Sequence, residues 1–151
     1  MSEGTAPKPA ILVSACLLGV RCNHRGGASP SQDAMRLGDR FRVIPVCPET
    51  MGGLPTPRPA AERQPDGRVV TADGADVTAF YERGARATVE VAAVTGATDA
   101  VLKARSPSCG CHEVYDGTFS QRLLSGEGVT TAALREAGVR IQSEEDLDAE
   151  E

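Results

Sequence analysis

Five cysteines in a chain of 151 residues, with only two histidines, make the thiols the first place to look for chemistry. Cys16 ends one apolar run, Cys47 ends a second, and Cys109 follows a third by a few residues, in Ser106-Pro107-Ser108-Cys109-Gly110. Thiolates are nucleophiles and soft metal ligands. The separations, about 31 and 62 residues, hold no CxxC pair, no ferredoxin run and no zinc-ribbon pairing. Only the fold can assemble such a site. Spacing alone therefore leaves isolated buried thiols as an open alternative, since free cysteine is among the most buried residue types. A three-thiolate centre would leave one metal position open, and a soft metal there favours a soft ligand such as sulfur. Cys22 and Cys111 are spare thiols. Each is a candidate fourth ligand or persulfide relay, with a bystander role as the simpler reading.

Other polar residues flank the thiols. Glu49 stands two residues after Cys47, where a dry metal pocket would raise its pKa and suit it to proton transfer; otherwise it is an exposed loop acid. Gly52-Gly53-Leu54-Pro55-Thr56-Pro57-Arg58 reads as a stiff wall, because proline restricts the loop and glycine permits close approach. Arg58 is a candidate to orient an anionic or carbonyl group of a substrate, or else a partner of Glu62. Lys103, Arg105, Ser106 and Ser108 precede Cys109. The cations would offset thiolate charge, Lys103 is also a candidate substrate contact, and the hydroxyls are candidate donors to substrate, unless Ser106-Pro107-Ser108 is simply a turn. His24 and His112 each lie in a loop near a cysteine, as possible ligands or solvent-exposed side chains.

The elements that must position these groups follow from the apolar pattern. Ala10 to Ala15 reads as a strand buried on both faces. A loop runs from Gly19 to Pro30, then a short helix near Ser31 to Leu37 closed by Gly38. Phe41 to Cys47 is a second strand, although Pro45 cannot donate to a ladder. Four prolines and two glycines between Pro48 and Pro59 argue against lasting regular structure. Arg68 to Thr71 is a small edge strand. Val77 to Thr95 is the main helix, with Asp76 as N-cap and Gly96 past its end. Asp99 to Ala104 is a third strand, Thr130 to Ala137 a helix and Val139 to Gln142 a final strand. The order implies one α/β domain, a three-layer Rossmann-like arrangement with a small, mostly parallel sheet. Ligands of such sheets bind beyond the carboxyl ends of the strands, where parallel strands would deliver Cys16, Cys47 and Cys109 together.

Composition sets the limits. The net charge of −5 comes from Glu144, Glu145, Asp146, Asp148, Glu150 and Glu151; the remainder is close to neutral. Residues 146–151 are expected to be an acidic, frayed tail and residues 1–9 a flexible one. Three Phe, two Tyr and no Trp supply little material for base stacking, and no broad basic surface is evident, so a nucleic-acid partner is disfavoured. No segment is apolar enough to span a membrane or act as a secretory signal. The expected compartment is the cytoplasm, where stable disulfides are rare. Oligomeric state is not readable.

Three runs in the right order resemble the thiouracil desulfidase family: Ser14-Ala15-Cys16-Leu17-Leu18-Gly19-Val20-Arg21-Cys22; Val46-Cys47-Pro48-Glu49 with Gly52 to Arg58; and Leu102-Lys103-Ala104-Arg105-Ser106-Pro107-Ser108-Cys109-Gly110. The likeness extends through Tyr115-Asp116-Gly117-Thr118-Phe119 and Gly126-Glu127-Gly128-Val129 to Glu144-Glu145-Asp146-Leu147. It implies a [4Fe-4S] cluster on Cys16, Cys47 and Cys109 with the fourth iron open. It further implies that a thiolated nucleobase such as 2-thiouracil loses sulfide and becomes the oxo compound. Glu49 takes the place of the family's acid and Ser106, rather than Ser108, that of its serine. One departure is Asn23-His24-Arg25-Gly26-Gly27, where the family has an Arg-Tyr-Asp-Gly-like run; a changed pocket loop implies a changed substrate choice. The competing readings are a non-catalytic iron–sulfur or sulfur-carrier protein and a structural zinc protein.

Overall fold

The computed structural model describes residues 7–149; most of the expected N-terminal tail and the last two residues lie outside them. Four parallel strands form the central sheet: β1 (Ala10–Ser14), β2 (Arg42–Val46), β5 (Asp99–Leu102) and β8 (Arg140–Ser143), in the order β2-β1-β5-β8. Two antiparallel ribbons flank it, β3 (Ala61–Arg63) with β4 (Val69–Thr71) and β6 (Glu113–Tyr115) with β7 (Leu123–Ser125). The ribbon strands other than β4 were not expected, being three residues each with no clear alternation.

Alternation along β1 explains the layers. Ala10 and Leu12 face one core with Val46, Ala100 and Leu102, closed by Ala92 of helix α3 (Thr78–Thr95) and Leu134 of α4 (Val129–Glu136). Ile11 and Val13 face the other core with Val101, Leu17, Ala34 and Leu37. All of β1 is buried, as a strand covered on both faces must be. The expected three-layer α/β arrangement is what the chain forms. Pro45 is tolerated because β2 is an edge strand.

The helices show where local chemistry works. Ser31 caps the single turn α1 (Gln32–Met35), its Oγ accepting from the Ala34 N–H at 3.2 Å. A 3-10 turn, Arg36–Asp39, continues it. Helix α3 buries Tyr81, Gly84, Ala85, Thr88 and Ala92, a single stripe at helical spacing. Its cap differs slightly from expectation: Val77 is the N-cap, and Asp76, two residues before the helix, accepts from the Thr78 N–H and hydroxyl through Oδ1.

One expectation is refined and one is corrected. The segment after Cys47 begins with a turn of α-helix, α2 (Pro48–Met51); Pro48 at its first position needs no N–H there. The acidic end is not frayed through its whole length: Glu144–Ala149 forms helix α5, and Leu147 is buried against Ile11, Val13 and Leu37. Ser143 and Asp146 start that helix as a reciprocal cap, Ser143 N–H to Asp146 Oδ2 at 2.8 Å and Asp146 N–H to Ser143 Oγ at 3.4 Å.

Helices α2 and α3 touch through backbone. A Cβ on Gly84 would lie 1.9 Å from the Pro48 carbonyl oxygen, and one on Gly52 2.0 Å from that of Phe80. Neither partner is a side chain that can swing away. Gly84→Ala is therefore expected to cost about 3 kcal/mol, the upper range for overpacking, read as a lowered urea midpoint. A wild-type midpoint would show that α2 moves freely.

Candidate active site

The three thiols reach one place by three routes. Cys16 sits in a 3-10 turn, Ala15–Leu18, that begins where β1 ends. Cys47 is the residue between β2 and α2. Cys109 lies in the loop after β5, its carbonyl accepting from Thr131 Oγ1 at 2.8 Å. The strands are adjacent and parallel, so all three arrive at the carboxyl edge. Together with Cys22 they line a cavity of about 600 Å³, ample for a small ligand. Glu49, Arg58, Tyr81, Lys103 and Ser106 line it too. Cys111 is not part of that wall.

Glu49 is held on one oxygen. Its Oε1 accepts from Arg58 Nε at 3.0 Å and from the Tyr81 hydroxyl at 2.8 Å; among the described residues Oε2 accepts none. Burial, and next the Glu49 carboxylate, push the Tyr81 hydroxyl well up, so it remains a donor. Arg58 is buried and spends its N–H groups on the scaffold: besides Glu49 it donates to the Pro55 carbonyl (3.2 Å), Thr56 Oγ1 (3.0 Å) and the Cys22 carbonyl (2.9 Å). Its partner is Glu49, not Glu62, which accepts instead from the N–H groups of Gly117 and Phe119. The guanidinium expected to contact substrate is thus a clamp between α2, the proline loop and the Cys22 loop.

The two serines separate cleanly. Ser106 Oγ accepts from the N–H groups of Ser108 (3.1 Å) and Cys109 (3.0 Å), which leaves its own proton for the cavity. Ser108, expected to touch substrate, is fully buried behind the wall and bonds Thr130 Oγ1 at 2.7 Å. Ser108→Ala is expected to cost about 1–2 kcal/mol, for a buried hydroxyl left without its partner, with iron uptake unchanged; a substantial loss of activity at wild-type stability would return Ser108 to the site. Lys103 lines the cavity with Nζ 3.1 Å from Glu144 Oε2.

Burial keeps the thiols of the metal-free chain protonated. Burial pushes Cys16 up to about 11, with Lys103 pulling down and Cys47 adding to the rise. Burial pushes Cys109 up to about 12, against a hydrogen bond from Ser14. Cys22 rises to about 12 through burial and then Cys47. Metal coordination replaces those protons. In the metal-free chain the folded values exceed the ordinary 9.0, so the folded state holds these protons longer than the unfolded one. Their contribution is whole below pH about 9 and lost as pH rises through about 11 to 12. Melting temperatures of the metal-free chain should fall over that window, and less so in Cys16→Ser; identical slopes would contradict the burial.

The size of the site tests what it can hold. Sulfurs sharing one tetrahedral ion stand about 3.8 Å apart, given a Zn–S length of about 2.3 Å. Cys16, Cys47 and Cys109 do not form a set of ligand atoms all within 4.8 Å of one another. Three thiols on one wall of a cavity of about 600 Å³ are the soft donors that iron–sulfur clusters take.

A family model described as 2-thiouracil desulfurase matches residues 11–146. The chain belongs to the 2-thiouracil desulfurase family. An uncharacterised Bacillus subtilis (strain 168) protein, YbbK, is 40% identical over 146 residues, spanning 91% of this chain and 97% of its own. The solved structure of the [4Fe-4S]-dependent thiouracil desulfidase TudS superposes with a TM-score of 0.87 at 44% identity, covering 94% of this chain and 95% of that one. As a desulfurase-family fold, the domain also brings further residues into the cavity wall. Tyr81, inside the helix expected over Val77 to Thr95, carries no sequence signal for the site beyond the rule that a buried tyrosine needs a partner for its hydroxyl. His24 lines the cavity, its imidazole pulled down by burial and Arg25. Arg105, Phe119 and Gln121, non-glycine residues with φ of 67°, 57° and 63°, all line it as well; left-handed backbone of this kind gathers at functional sites.

Proposed function

We propose that this chain is a [4Fe-4S]-dependent desulfidase that releases sulfide from a thiolated nucleobase such as 2-thiouracil, with Cys16, Cys47 and Cys109 holding the cluster. The observation that carries this is the arrival of three thiols from three neighbouring parallel strands on one cavity wall, beside a carboxylate clamped on a single oxygen. When bound, the cluster supplies a soft Lewis acid with one position free for thiocarbonyl sulfur.

The protein does the rest. Arg58 and Tyr81 fix Glu49 through Oε1 and leave Oε2 to take a proton from water as it attacks the thiocarbonyl carbon. Ser106, its oxygen already engaged by two N–H groups, donates its proton to charge growing on the ring. Lys103 offsets thiolate charge on the same wall. A C–O bond forms, the C–S bond breaks, and sulfide leaves with the carbon's oxidation state unchanged; the class is C–S hydrolysis. All five cysteines are free, which suits a reducing compartment such as the cytoplasm. No described helix is long and apolar enough to cross a membrane.

The test is anaerobic reconstitution with iron and sulfide, followed by measurement of sulfide released from 2-thiouracil. Many equivalents per chain are expected. A single equivalent would indicate a sulfur carrier, and none at all would remove 2-thiouracil as substrate.

A further inference from the structure

We propose that Cys111, His112 and Asp146 form a second metal site, built for a single divalent ion of the zinc class. Cys111 Sγ, a ring nitrogen of His112 and a carboxylate oxygen of Asp146 all lie within 4.8 Å of one another. One sulfur, one nitrogen and one oxygen are the ligand types that zinc accepts in four-coordinate sites.

The ligands are positioned from behind. Asp146 Oδ2 accepts the Ser143 N–H at 2.8 Å, and Ser143 Oγ accepts from the N–H groups of Glu145 and Asp146 at 3.1 and 3.4 Å. That fixes the carboxylate at the start of α5, as metal ligands are fixed by outer hydrogen bonds. His112 Nε2 faces both carboxylate oxygens, at 3.0 and 2.8 Å. Cys111 is buried beside them. A His–Asp ion pair alone would explain two of the three groups, but not a thiol enclosed against them.

Charge and space agree. Asp146, Glu144 and Glu127 place negative charge around Cys111, against Arg135, while Arg105 beside the same void is paired with Glu113 and Glu145. A separate void of about 20 Å³ is lined by Cys111 and His112, with Arg105, Glu113, Ser143 and Glu145 around them and Asp146 outside it; it is enough for one water on the sulfur and nitrogen side of the site. A metal here would staple α5 to the segment that carries Cys109, two residues from Cys111.

The inference is independent of the cluster reading, because zinc and iron are counted separately. The cluster-loaded full chain is dialysed anaerobically against zinc buffered by a chelator, and both metals are measured by mass spectrometry. One zinc per chain is expected in the wild type. The zinc absorption edge should show one sulfur at about 2.3 Å and nitrogen or oxygen at about 2.0 Å. Cys111→Ser and His112→Ala should each weaken zinc at least about 100-fold with iron unchanged, and Cys16→Ser should lose iron and keep zinc. His112 is exposed, so its variant keeps the fold if Cys111→Ser does not. Zinc uptake equal in wild type and His112→Ala, or zinc lost with Cys16→Ser, would overturn the site.

Discussion

Cys109→Ser is expected to yield a folded, colourless protein that takes up no stoichiometric iron after anaerobic reconstitution. Serine fits the space of cysteine, and the loop is held by bonds that do not use the sulfur: the Cys109 N–H to Ser106 Oγ, and Thr131 Oγ1 to the Cys109 carbonyl. The fold should therefore survive, visible as an unchanged far-ultraviolet spectrum. The cluster should not, because a neutral hydroxyl is a poor ligand for iron beside sulfide, and two thiolates do not retain a group that three hold. Cys111, although only two residues away, is outside the cavity wall and cannot substitute. Cys22 is in the wall. Full iron content in Cys109→Ser would therefore reassign the ligand set to Cys16, Cys22 and Cys47.

Glu49→Gln should do the opposite, keeping iron and losing turnover by about 10²- to 10⁴-fold, the usual contribution of a positioned general base, or about 3–5 kcal/mol. Glutamine has the same shape and still offers an oxygen to Arg58 Nε and the Tyr81 hydroxyl. What it lacks is the basic oxygen. Sulfide release at saturating 2-thiouracil is the measurement, with iron content as control. A Glu49→Gln enzyme at wild-type rate would mean that water is activated elsewhere. A parallel loss of iron and rate would mean that Glu49 supports the cluster rather than the chemistry.

The parts of this site legible in the sequence were those fixed by short-range pattern. Cys16 closes an apolar run that reads as a buried strand, and Cys47 closes a second run that reads as a strand despite Pro45, so their meeting required only that the strands be parallel. The part that was not legible depends on distant segments. Arg58 was open between substrate and Glu62 because nothing local shows that the proline loop folds back over α2 and the Cys22 carbonyl. Ser106 and Ser108 are two residues apart with equal hydroxyls; only the docking of Thr130 at the start of α4 decides which one is enclosed. Helix α5 was hidden by its charge. Its acids looked solvated, whereas Glu144 bonds the Ala104 N–H at 2.8 Å and pairs with Lys103, and Leu147 supplies the buried contact.

The backbone contact between Gly52 and Phe80 and between Gly84 and Pro48 bears on how this family can diversify. Side chains can be traded to reshape a wall, but two main chains already at contact cannot close further, and nothing short of a new helix position would open them. One boundary of the pocket, carrying both Cys47 and Glu49, is thereby frozen. New specificities must come from the rest of the wall, where His24 and Phe119 stand on loops. A saturation library selected on differently sized thio-heterocycles should accumulate its winners there and return glycine at 52 and 84 every time.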